Sequence, residues 1–464
     1  MRAFFLLAAA SSFALTGCMT SPPVPSDADY KYVVLGPEGA PMARVITARA
    51  QCPTVDIDGK TVAMTVRMPA GTMPVRPSRM DLPAPKPSAF PVTTCEAAIP
   101  ADAIRASVDG ESLPLPMSSP KRVVILGDTG CRIVSNFGIF QACDDPVAWP
   151  FERIANAAAA TEPDLVIHVG DYHYREGPCN LANPGCAGSP WGYGYDAWRA
   201  DFFQPARKLL MAAPWIVVRG NHESCNRAGQ GWWRFLDPRP PAPRQDCNAA
   251  EDDDIGNYSA AYAVPLGRNP DLQFLVFDSS WVGVTPIPPT DLMYRNYKAE
   301  FESVFKLGAR TPRAFFISHH PVLGFAANPN DPQNPFPGNG GLQSVLTPLY
   351  GTALFPSNVE VVLAGHNHVF ETVDFSSGHP PQFITGNGGD WADAPFPIPF
   401  PAGKEPAPGA VVAQLLWTTR FGFMTMERDG AGWSMRAFDY DAKPMTTCKV
   451  TGREVTCTPL VPAP

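Results

Sequence analysis

The chain has 464 residues, which is enough for one large domain with a smaller one beside it. Its formal net charge is -8 and it has no long basic run, so non-specific binding to a nucleic-acid polymer is not expected. Proline is abundant, with 54 residues, but the prolines lie among apolar strand-like segments, which indicates long ordered loops and not global disorder.

The N-terminus has the pattern of a secretory signal. Arg2 precedes an apolar stretch over residues 3–15 that is too short to span a membrane. The stretch ends in Leu15-Thr16-Gly17-Cys18, which resembles the lipobox of bacterial lipoproteins. This resemblance implies a signal peptide at residues 1–17, a lipid on Cys18, a tether over residues 18–30, and a protein anchored to a bacterial membrane that faces the periplasm or cell exterior. An ordinary signal peptide, with Cys18 incidental, is the alternative.

The cysteine content agrees with export. Of 11 cysteines, ten remain when Cys18 is set aside, an even number that suits disulfide bonds in an oxidising compartment. Spacing does not determine the connectivity, but proximity along the chain suggests four bonds and leaves a fifth by elimination: Cys131–Cys143, Cys179–Cys186, Cys225–Cys247, Cys448–Cys457 and Cys52–Cys95. A cysteine-rich metal site is disfavoured because the chain has no CxxC pair.

Residues 31–118 read as short strands between Pro-rich turns. Apolar runs occur at Tyr32–Leu35, Ala43–Thr47 and Thr61–Arg67, and no helical period is visible. The pattern predicts a small N-terminal all-β domain of sandwich type. Residues 68–91 are rich in proline and are predicted to be an excursion with little regular structure.

From Lys121 onward, strand patterns alternate with helix patterns. Strands are predicted at Val123–Leu126, Leu165–Val169, Trp215–Val218, Leu272–Phe277, Ala314–Ile317, Val359–Leu363, Gln382–Thr385, Phe421–Glu427 and Trp433–Phe438. Helices are predicted at Phe151–Ala160, Asp196–Met211 and Tyr297–Leu307. We therefore expect an α/β domain over residues 119–440, built as a two-sheet α-β-β-α sandwich, followed by a C-terminal disulfide hairpin and tail at residues 441–464.

Five short polar segments each follow one of these apolar strands. They are GDTG at 127–130, GDYHY at 170–174, GNHE at 220–223, SHHP at 318–321 and GHNH at 365–368. Six of the eight histidines of the chain lie within them. Asp, Asn, His and Tyr supply oxygen and nitrogen ligands for hard or borderline metal ions. Since ligands bind at the carboxyl ends of strands in open α/β sheets, the five segments predict one dinuclear metal site.

These segments resemble the calcineurin-like metallophosphoesterase superfamily over residues 121–440. Two details resemble its purple acid phosphatase branch. The first segment has Gly130 where many relatives have a metal-binding histidine, and Tyr174 follows Asp171 by three residues, as in the G-D-x-x-Y pattern of that branch. A phenolate is a strong anionic ligand that favours a trivalent ion such as Fe(III).

The resemblance implies two metal ions that share one carboxylate. For the first ion, Fe(III), the implied ligands are Asp128, Asp171, Tyr174 and His368. For the second ion, Zn, Mn or Fe(II), they are Asp171, Asn221, His319 and His366, with Asp171 bridging. His222 is implied as general acid and phosphate contact; orienting Glu223 or a metal ligand is its alternative role.

The sequence also offers candidate substrate contacts. His173 and His320 lie inside the polar segments and are candidate substrate contacts, as are Arg219 and Arg175. Two long loops, at residues 325–341 and 386–408, are rich in Asn, Pro and Gly and are expected to cover the site.

The resemblance implies an exported enzyme that hydrolyses phosphate monoesters by a metal-bound hydroxide, with a phosphate ester as its substrate. A phosphodiesterase or nucleotide hydrolase with the same site is one alternative. A non-catalytic, metal-binding surface lipoprotein is an alternative of another class. The oligomeric state and the role of the N-terminal β domain are not predicted.

Overall fold

The computed structural model describes residues 29–76, 85–135, 138–180, 182–268 and 270–460. The predicted signal peptide, the lipidation site Cys18 and most of the predicted tether lie outside these residues. Among the described residues, no helix is both long enough and apolar enough to cross a membrane.

Two large mixed sheets form the centre of the molecule. In spatial order, the eleven strands of the first sheet are Glu454–Cys457, Pro444–Thr451, Gly432–Asp439, Gly422–Asp429, Arg122–Leu126, Leu165–His168, Trp215–Val217, Tyr30–Leu35, Pro41–Thr47, Thr93–Ala98 and Thr65–Met68. The seven strands of the second are Tyr262–Pro265, Leu272–Val276, Arg313–Ile317, Val359–Ala364, Gln382–Thr385, Phe370–Phe375 and Val412–Thr418. In each sheet the central strands run parallel to one another.

The two sheets pack face to face through alternate residues of their central strands. Val123 and Ile125 of the first sheet share one buried cluster with Phe315 and Ile317 of the second. Because side chains alternate between the faces of a strand, Val124 points to the opposite side, where helices cover it. Central strands that are apolar on both faces need this double cover.

Helices cover the outer face of each sheet. The α-helices are Phe151–Ala159, Tyr195–Trp198, Arg207–Ala212, Gly229–Phe235, Asp253–Gly256, Leu292–Gly308 and Gly340–Tyr350. A π-helix lies at Arg199–Phe203, and 3-10 turns lie at Pro37–Gly39, Asn221–Glu223, Ala250–Asp252 and Gly351–Ala353. Ile154 and Leu209 pack on the first sheet, and Phe301 and Val345 pack on the second. The predicted α-β-β-α sandwich is confirmed.

The N-terminal region is all-β, as predicted, but it does not form a separate sandwich. Strand Tyr30–Leu35 pairs in parallel with Trp215–Val217 through Val34 and Trp215, and three further N-terminal strands extend the same sheet. The boundary expected at residue 118 therefore does not separate two sheets. An unpaired strand edge at Trp215–Val217 would leave backbone groups without partners, and the N-terminal strands supply them. The C-terminal hairpin extends the other end of the sheet in the same way.

Smaller sheets complete the fold. A four-stranded sheet contains Glu111–Ser112, Ala106–Val108, Thr54–Ile57 and Lys60–Ala63, and two hairpins pair Gly71–Met73 with Ser88–Phe90 and Ile133–Val134 with Ile139–Phe140. The hairpin at Gly71–Met73 corrects the expectation of little regular structure at residues 68–91.

One predicted helix is interrupted in the structure, and one long helix of the structure was not predicted. The helix predicted at Asp196–Met211 is broken into α, π and α parts, because Pro205 lies within it and lacks a backbone N–H. The helix Gly340–Tyr350 has no counterpart among the predictions, since Gly and Pro within it disfavour helix. Its first turn is capped by Asn339, whose side-chain oxygen accepts a hydrogen bond from the Leu342 N–H at 2.8 Å.

The four disulfide bonds suggested by sequence proximity and the fifth suggested by elimination are all present in the structure. Three of them, Cys131–Cys143, Cys179–Cys186 and Cys225–Cys247, close loops that follow the first three polar segments. Such a number of bonds is typical of a protein outside the reducing cytoplasm.

Candidate metal centre

The five polar segments meet where the carboxyl ends of the central strands of both sheets come together. Within the first sheet, the Asp128 N–H donates to the Gly170 carbonyl at 3.0 Å. Between the sheets, the His366 N–H donates to Asp128 Oδ2 at 3.0 Å. Within the second sheet, the Gly365 N–H donates to the His319 carbonyl at 3.0 Å. Hydrogen bonds within the protein thus join the segments without any bound ligand.

One cluster of side chains surrounds the hydroxyl of Tyr174. Tyr174 Oη lies 2.9 Å from Asp128 Oδ1, 2.9 Å from Asp171 Oδ2 and 3.0 Å from His368 Nε2. Tyr174 is fully buried. These four side chains are the ones that the sequence resemblance implies for the first metal ion.

A second cluster shares Asp171 with the first. His319 Nε2 lies 3.1 Å from Asp171 Oδ2 and 3.1 Å from Asn221 Oδ1. Asn221 Oδ1 in turn lies 3.0 Å from His366 Nδ1. These are the four side chains implied for the second ion, and Asp171 is the carboxylate common to both sets.

The spacing of these donor atoms fits metal ions. Neighbouring ligands of an octahedral ion with bonds of about 2.1 Å lie about 3.0 Å apart. The distances that define the two clusters run from 2.9 Å to 3.1 Å. Burial alone would lower the pKa of His319, but the Asp171 and Asp128 carboxylates raise it to about 9, which shows that the site favours positive charge. Carboxylate, phenol, amide and imidazole donors suit transition-metal ions.

Three residues of these clusters have a left-handed backbone. Asp128 and Asp171 have φ values of 56° and His366 has a φ of 72°. This region is unfavourable for residues other than glycine and is found at functional sites, where the surrounding structure enforces it. The N–H groups of Asp171 and His366 are held by hydrogen bonds to buried carboxylates, and that of Asp128 is held by the Gly170 carbonyl.

Glu223 is one such carboxylate, and it joins the second and third polar segments. Its Oε2 accepts the N–H groups of Asp171 and Gly220, each at 3.1 Å, and its Oε1 accepts the Tyr172 N–H at 2.9 Å. Burial, with the nearby Asp171 carboxylate, raises the pKa of Glu223 to about 8. Glu223 therefore sets the position of Asp171 without facing the cavity.

Asp201 does the same for the tyrosine segment. Its carboxylate accepts the N–H groups of Tyr174 at 2.7 Å, Arg175 at 3.0 Å and Cys131 at 3.0 Å. A Cβ atom on Gly130 would lie 2.8 Å from Tyr174 N and 2.9 Å from Asp201 Oδ2. A side chain at position 130 would thus displace Tyr174, so Gly130 makes room for the tyrosine segment.

His222 lies beside both clusters. Its backbone N–H donates to Asp171 Oδ1 at 2.8 Å, and its ring centre lies 3.9 Å from that of Tyr174. Its Nδ1 lies 3.0 Å from the His173 carbonyl oxygen, and Arg227 Nη2 lies 2.6 Å from Nδ1 and 2.7 Å from Nε2. Burial lowers the pKa of His222 well below its ordinary value, and Arg227 lowers it further. Both effects favour the neutral imidazole.

The structure places two of the candidate substrate contacts behind the cavity wall. Arg219 is buried and donates to the Glu223 carbonyl at 2.8 Å and the Gly256 carbonyl at 2.7 Å, so it stabilises the loop behind the site. His173 is fully buried and packs 5.6 Å from Tyr193 between ring centres. It contributes to the site only through its backbone carbonyl.

Two further candidates also lie behind the ligands. His320 is buried, with its Nδ1 at 3.1 Å from Ser279 Oγ and its ring centre 4.1 Å from that of His366. It supports His366 and does not line the cavity. Arg175 Nε donates to Asp201 Oδ1 at 2.6 Å and is equally remote from the cavity.

A cavity of about 410 Å³ opens onto the clusters. It is lined by Arg132, Asp171, Asn221, His222, Ala326, Ala327, Pro329, His366, Asn367, His368, Asp393 and Ala394. Both loops expected to cover the site therefore contribute to its wall, one through residues 326–329 and the other through residues 393–394.

Arg132 and Asp390 belong to the site but carry no sequence signal. Arg132 Nε lies 3.1 Å and 2.9 Å from the two carboxylate oxygens of Asp390. The residues are 258 positions apart in the chain. Arg132 lies two residues after the first polar segment, and Asp390 lies in the glycine-rich GNGGD after a strand. Only these positions could have suggested them.

Comparison with known proteins assigns the class. The sequence profile of the family described as Calcineurin-like phosphoesterase matches residues 121–370, more than half of the chain. The protein belongs to this family and is a metal-dependent phosphoesterase, which confirms the predicted superfamily and enzyme class. No curated protein sequence matches the chain.

Solved structures share the fold. A purple acid phosphatase isolated from yellow lupin (Lupinus luteus) seeds is 15% identical, with a TM-score of 0.55 over 89% of this chain and 72% of that chain. PhoD is 12% identical, with a TM-score of 0.52 over 93% of this chain and 92% of that chain. At these identities the similarity establishes the common fold.

Proposed function

We propose that the protein is an exported phosphatase that hydrolyses phosphate monoesters at a dinuclear centre of the purple acid phosphatase type. The observation that carries this proposal is the contact of Tyr174 Oη with Asp128, Asp171 and His368 at 2.9 to 3.0 Å. A phenol held against two carboxylates and an imidazole is a ligand set for a trivalent ion, because its anionic form needs a strong positive charge nearby.

Fe(III) is the proposed first ion, held by Asp128, Asp171, Tyr174 and His368. Zn, Mn or Fe(II) is the proposed second ion, held by Asp171, Asn221, His319 and His366. When bound, the two ions would supply positive charge for phosphate oxygens and lower the pKa of a water molecule.

His222 is proposed to contact the substrate and protonate its leaving oxygen. The neutral ring lines the cavity, and Arg227 adds a positive charge behind it. Arg227 is itself fixed by Glu176, to which it donates at 2.6 Å and 2.7 Å. A phosphate dianion beside the imidazole would raise the pKa of His222 and favour its protonated form, so the ring would take up a proton from solvent when the substrate binds. His222→Asn should then lower kcat more for esters with poor leaving groups than for those with good ones.

Tyr174→Phe tests the nature of the first metal. Tyrosinate bound to Fe(III) should give a visible charge-transfer band, and Tyr174→Phe should lose this band. Elemental analysis of both proteins would measure their iron content. A colourless, active wild-type protein that holds only zinc or manganese would refute the iron assignment.

Turnover separates the remaining functions. Metal-loaded protein should hydrolyse a monoester faster than a diester at mildly acidic pH. A preference for the diester would favour a phosphodiesterase, and no hydrolysis of either ester at acidic or neutral pH would refute the proposed function.

Lipid anchoring is proposed from the residues Leu15-Thr16-Gly17-Cys18, and the five disulfide bonds agree with export. Cys18→Ser should move the protein from the membrane fraction to the soluble fraction. Retention in the membrane fraction would argue against a lipid on Cys18.

A further inference from the structure

Arg132 brings a permanent positive charge to the wall of the metal cavity. It lies beside His222 and the ligand candidates, and among the described residues that line the cavity it is the only lysine or arginine. Its Nη2 is 3.4 Å from the His368 ring nitrogens. None of the roles assigned above to the metal ligands or to His222 uses it.

The Arg132 side chain is fixed in place on two sides. Its Nε and Nη2 both donate to the fully buried carboxylate of Asp390, and its guanidinium carbon lies 4.8 Å from the centre of the Tyr174 ring. Asp390 is anchored in turn, because its backbone N–H donates to the Asp128 carbonyl at 3.0 Å. Arg132 is thus tied to the same segment that supplies a metal ligand.

One donor nitrogen of Arg132 remains for a ligand. Nη1 makes no hydrogen bond within the described part of the chain, and the side chain keeps 22% of its surface exposed. Taking an arginine and a carboxylate partly out of water carries a desolvation cost, which a purely structural ion pair seldom recovers. Planar, pre-oriented arginine is, in contrast, well suited to phosphate oxygens.

We propose that Arg132 Nη1 binds a terminal oxygen of the substrate phosphoryl group and makes the enzyme select monoesters over diesters. This inference rests on the proposed function. A monoester has three terminal oxygens and a second ionisation with a pKa of about 6, so its charge reaches up to twice that of a diester. A diester has only two terminal oxygens and a single charge. Removing a fixed cation and its N–H donor therefore costs more for the monoester.

The test compares Arg132→Met and Arg132→Lys with the wild type. We would measure kcat/KM for 4-nitrophenyl phosphate and bis(4-nitrophenyl) phosphate, which share a leaving group, and the affinity for inorganic phosphate by calorimetry. In Arg132→Met the monoester kcat/KM should fall about 10- to 100-fold, as expected for a lost hydrogen bond to a charged group, and phosphate affinity should fall with it. The diester value should fall less than about threefold. Arg132→Lys keeps the positive charge but lacks the planar guanidinium, so its monoester kcat/KM should lie between those of the wild type and Arg132→Met.

Arg153→Met is the matched control. Arg153 also pairs with an aspartate, Asp441, and lies 4.3 Å over a tyrosine ring, Tyr440, but it is not among the residues that line the cavity. Arg153→Met should leave kcat/KM for both esters and the phosphate affinity unchanged. The unfolding midpoints of all variants would be recorded.

The outcomes separate the two proposals. Unchanged phosphate affinity in Arg132→Met, or an equal fall in activity on both esters, would overturn the role of Arg132. If the wild type hydrolysed neither ester, the proposed function would fail. Weaker binding of inorganic phosphate by Arg132→Met than by the wild type would still support phosphate binding by Arg132.

Discussion

Gly130→Ala should disrupt the first cluster through a single added methyl group. The new Cβ would lie 2.8 Å from Tyr174 N, 2.9 Å from Asp201 Oδ2 and 3.0 Å from the Tyr172 carbonyl oxygen. Ordinary contacts of a Cβ atom begin at 3.4 Å. The three groups would therefore have to move away by roughly 0.4 to 0.6 Å. All three belong to backbone or to a fully buried carboxylate, so none can swing aside.

The cost of this movement has two parts. Overpacking of a filled interior destabilises a protein by about 1–3 kcal/mol. Displacing the Tyr174 segment by about half an ångström also exceeds the tolerance of about 0.2 Å on a metal–ligand bond. We therefore expect Gly130→Ala to lower the free energy of unfolding by about 1–3 kcal/mol and to weaken or abolish the visible band of the wild type.

Urea unfolding and the visible spectrum of the same samples would measure these effects. Gly283→Ala is the control, because a Cβ there meets nothing within 4 Å and should change neither quantity. If Gly130→Ala kept the unfolding free energy and the spectrum of the wild type, the argument that Gly130 makes room for the tyrosine segment would be wrong.

Three other changes test further parts of the structure. Burial raises the pKa of Glu371 from 4.5 to about 8, so between these pH values the folded chain keeps a proton that the unfolded chain has lost. As the pH rises through this range, the free energy of unfolding should fall by at most about 1.4 kcal/mol per pH unit. It should fall less steeply in Glu371→Gln. If urea unfolding gave the same pH dependence of the unfolding free energy in both proteins, this reasoning would be refuted. Glu223→Ala leaves three buried backbone N–H groups unpaired and should cost about 3 kcal/mol or more by the same method; a loss under about 1 kcal/mol would contradict it. Removal of the metal ions by a chelator should lower the thermal unfolding midpoint, because bound ions stabilise the folded state. The buried Asp128 and Asp171 carboxylates would also lose their counter-charge. An unchanged midpoint would contradict metal binding by these clusters.

Much of the fold was predictable because its signals are local. Each central strand is a short apolar run, and each metal-ligand candidate follows its strand within a few residues, so the pattern indicates both the element and the edge where the polar groups collect. The disulfide pairs were also suggested by proximity along the chain, although spacing alone leaves other connectivities open.

What local patterns could not predict depends on contacts between distant segments. Nothing in Tyr30–Leu35 marks it as the neighbour of Trp215–Val217, because any strand with apolar faces can extend an open sheet edge. Arg219 and His173 stand within or beside the polar segments, yet packing turns both away from the cavity. A residue next to a ligand in the sequence need not face the cavity, because successive side chains point to different sides of the backbone.

The sequence by itself determined the chemical types of donor and the pairing of Gly130 with Tyr174. The tertiary structure decided that Asp171 lies between two clusters, that Gly130 faces three immovable groups, and that Arg132 is fixed by an aspartate 258 residues away. The physical reason is that donor chemistry belongs to each residue alone. The distance between donors is set by the packing of two sheets and their loops, which no single segment contains.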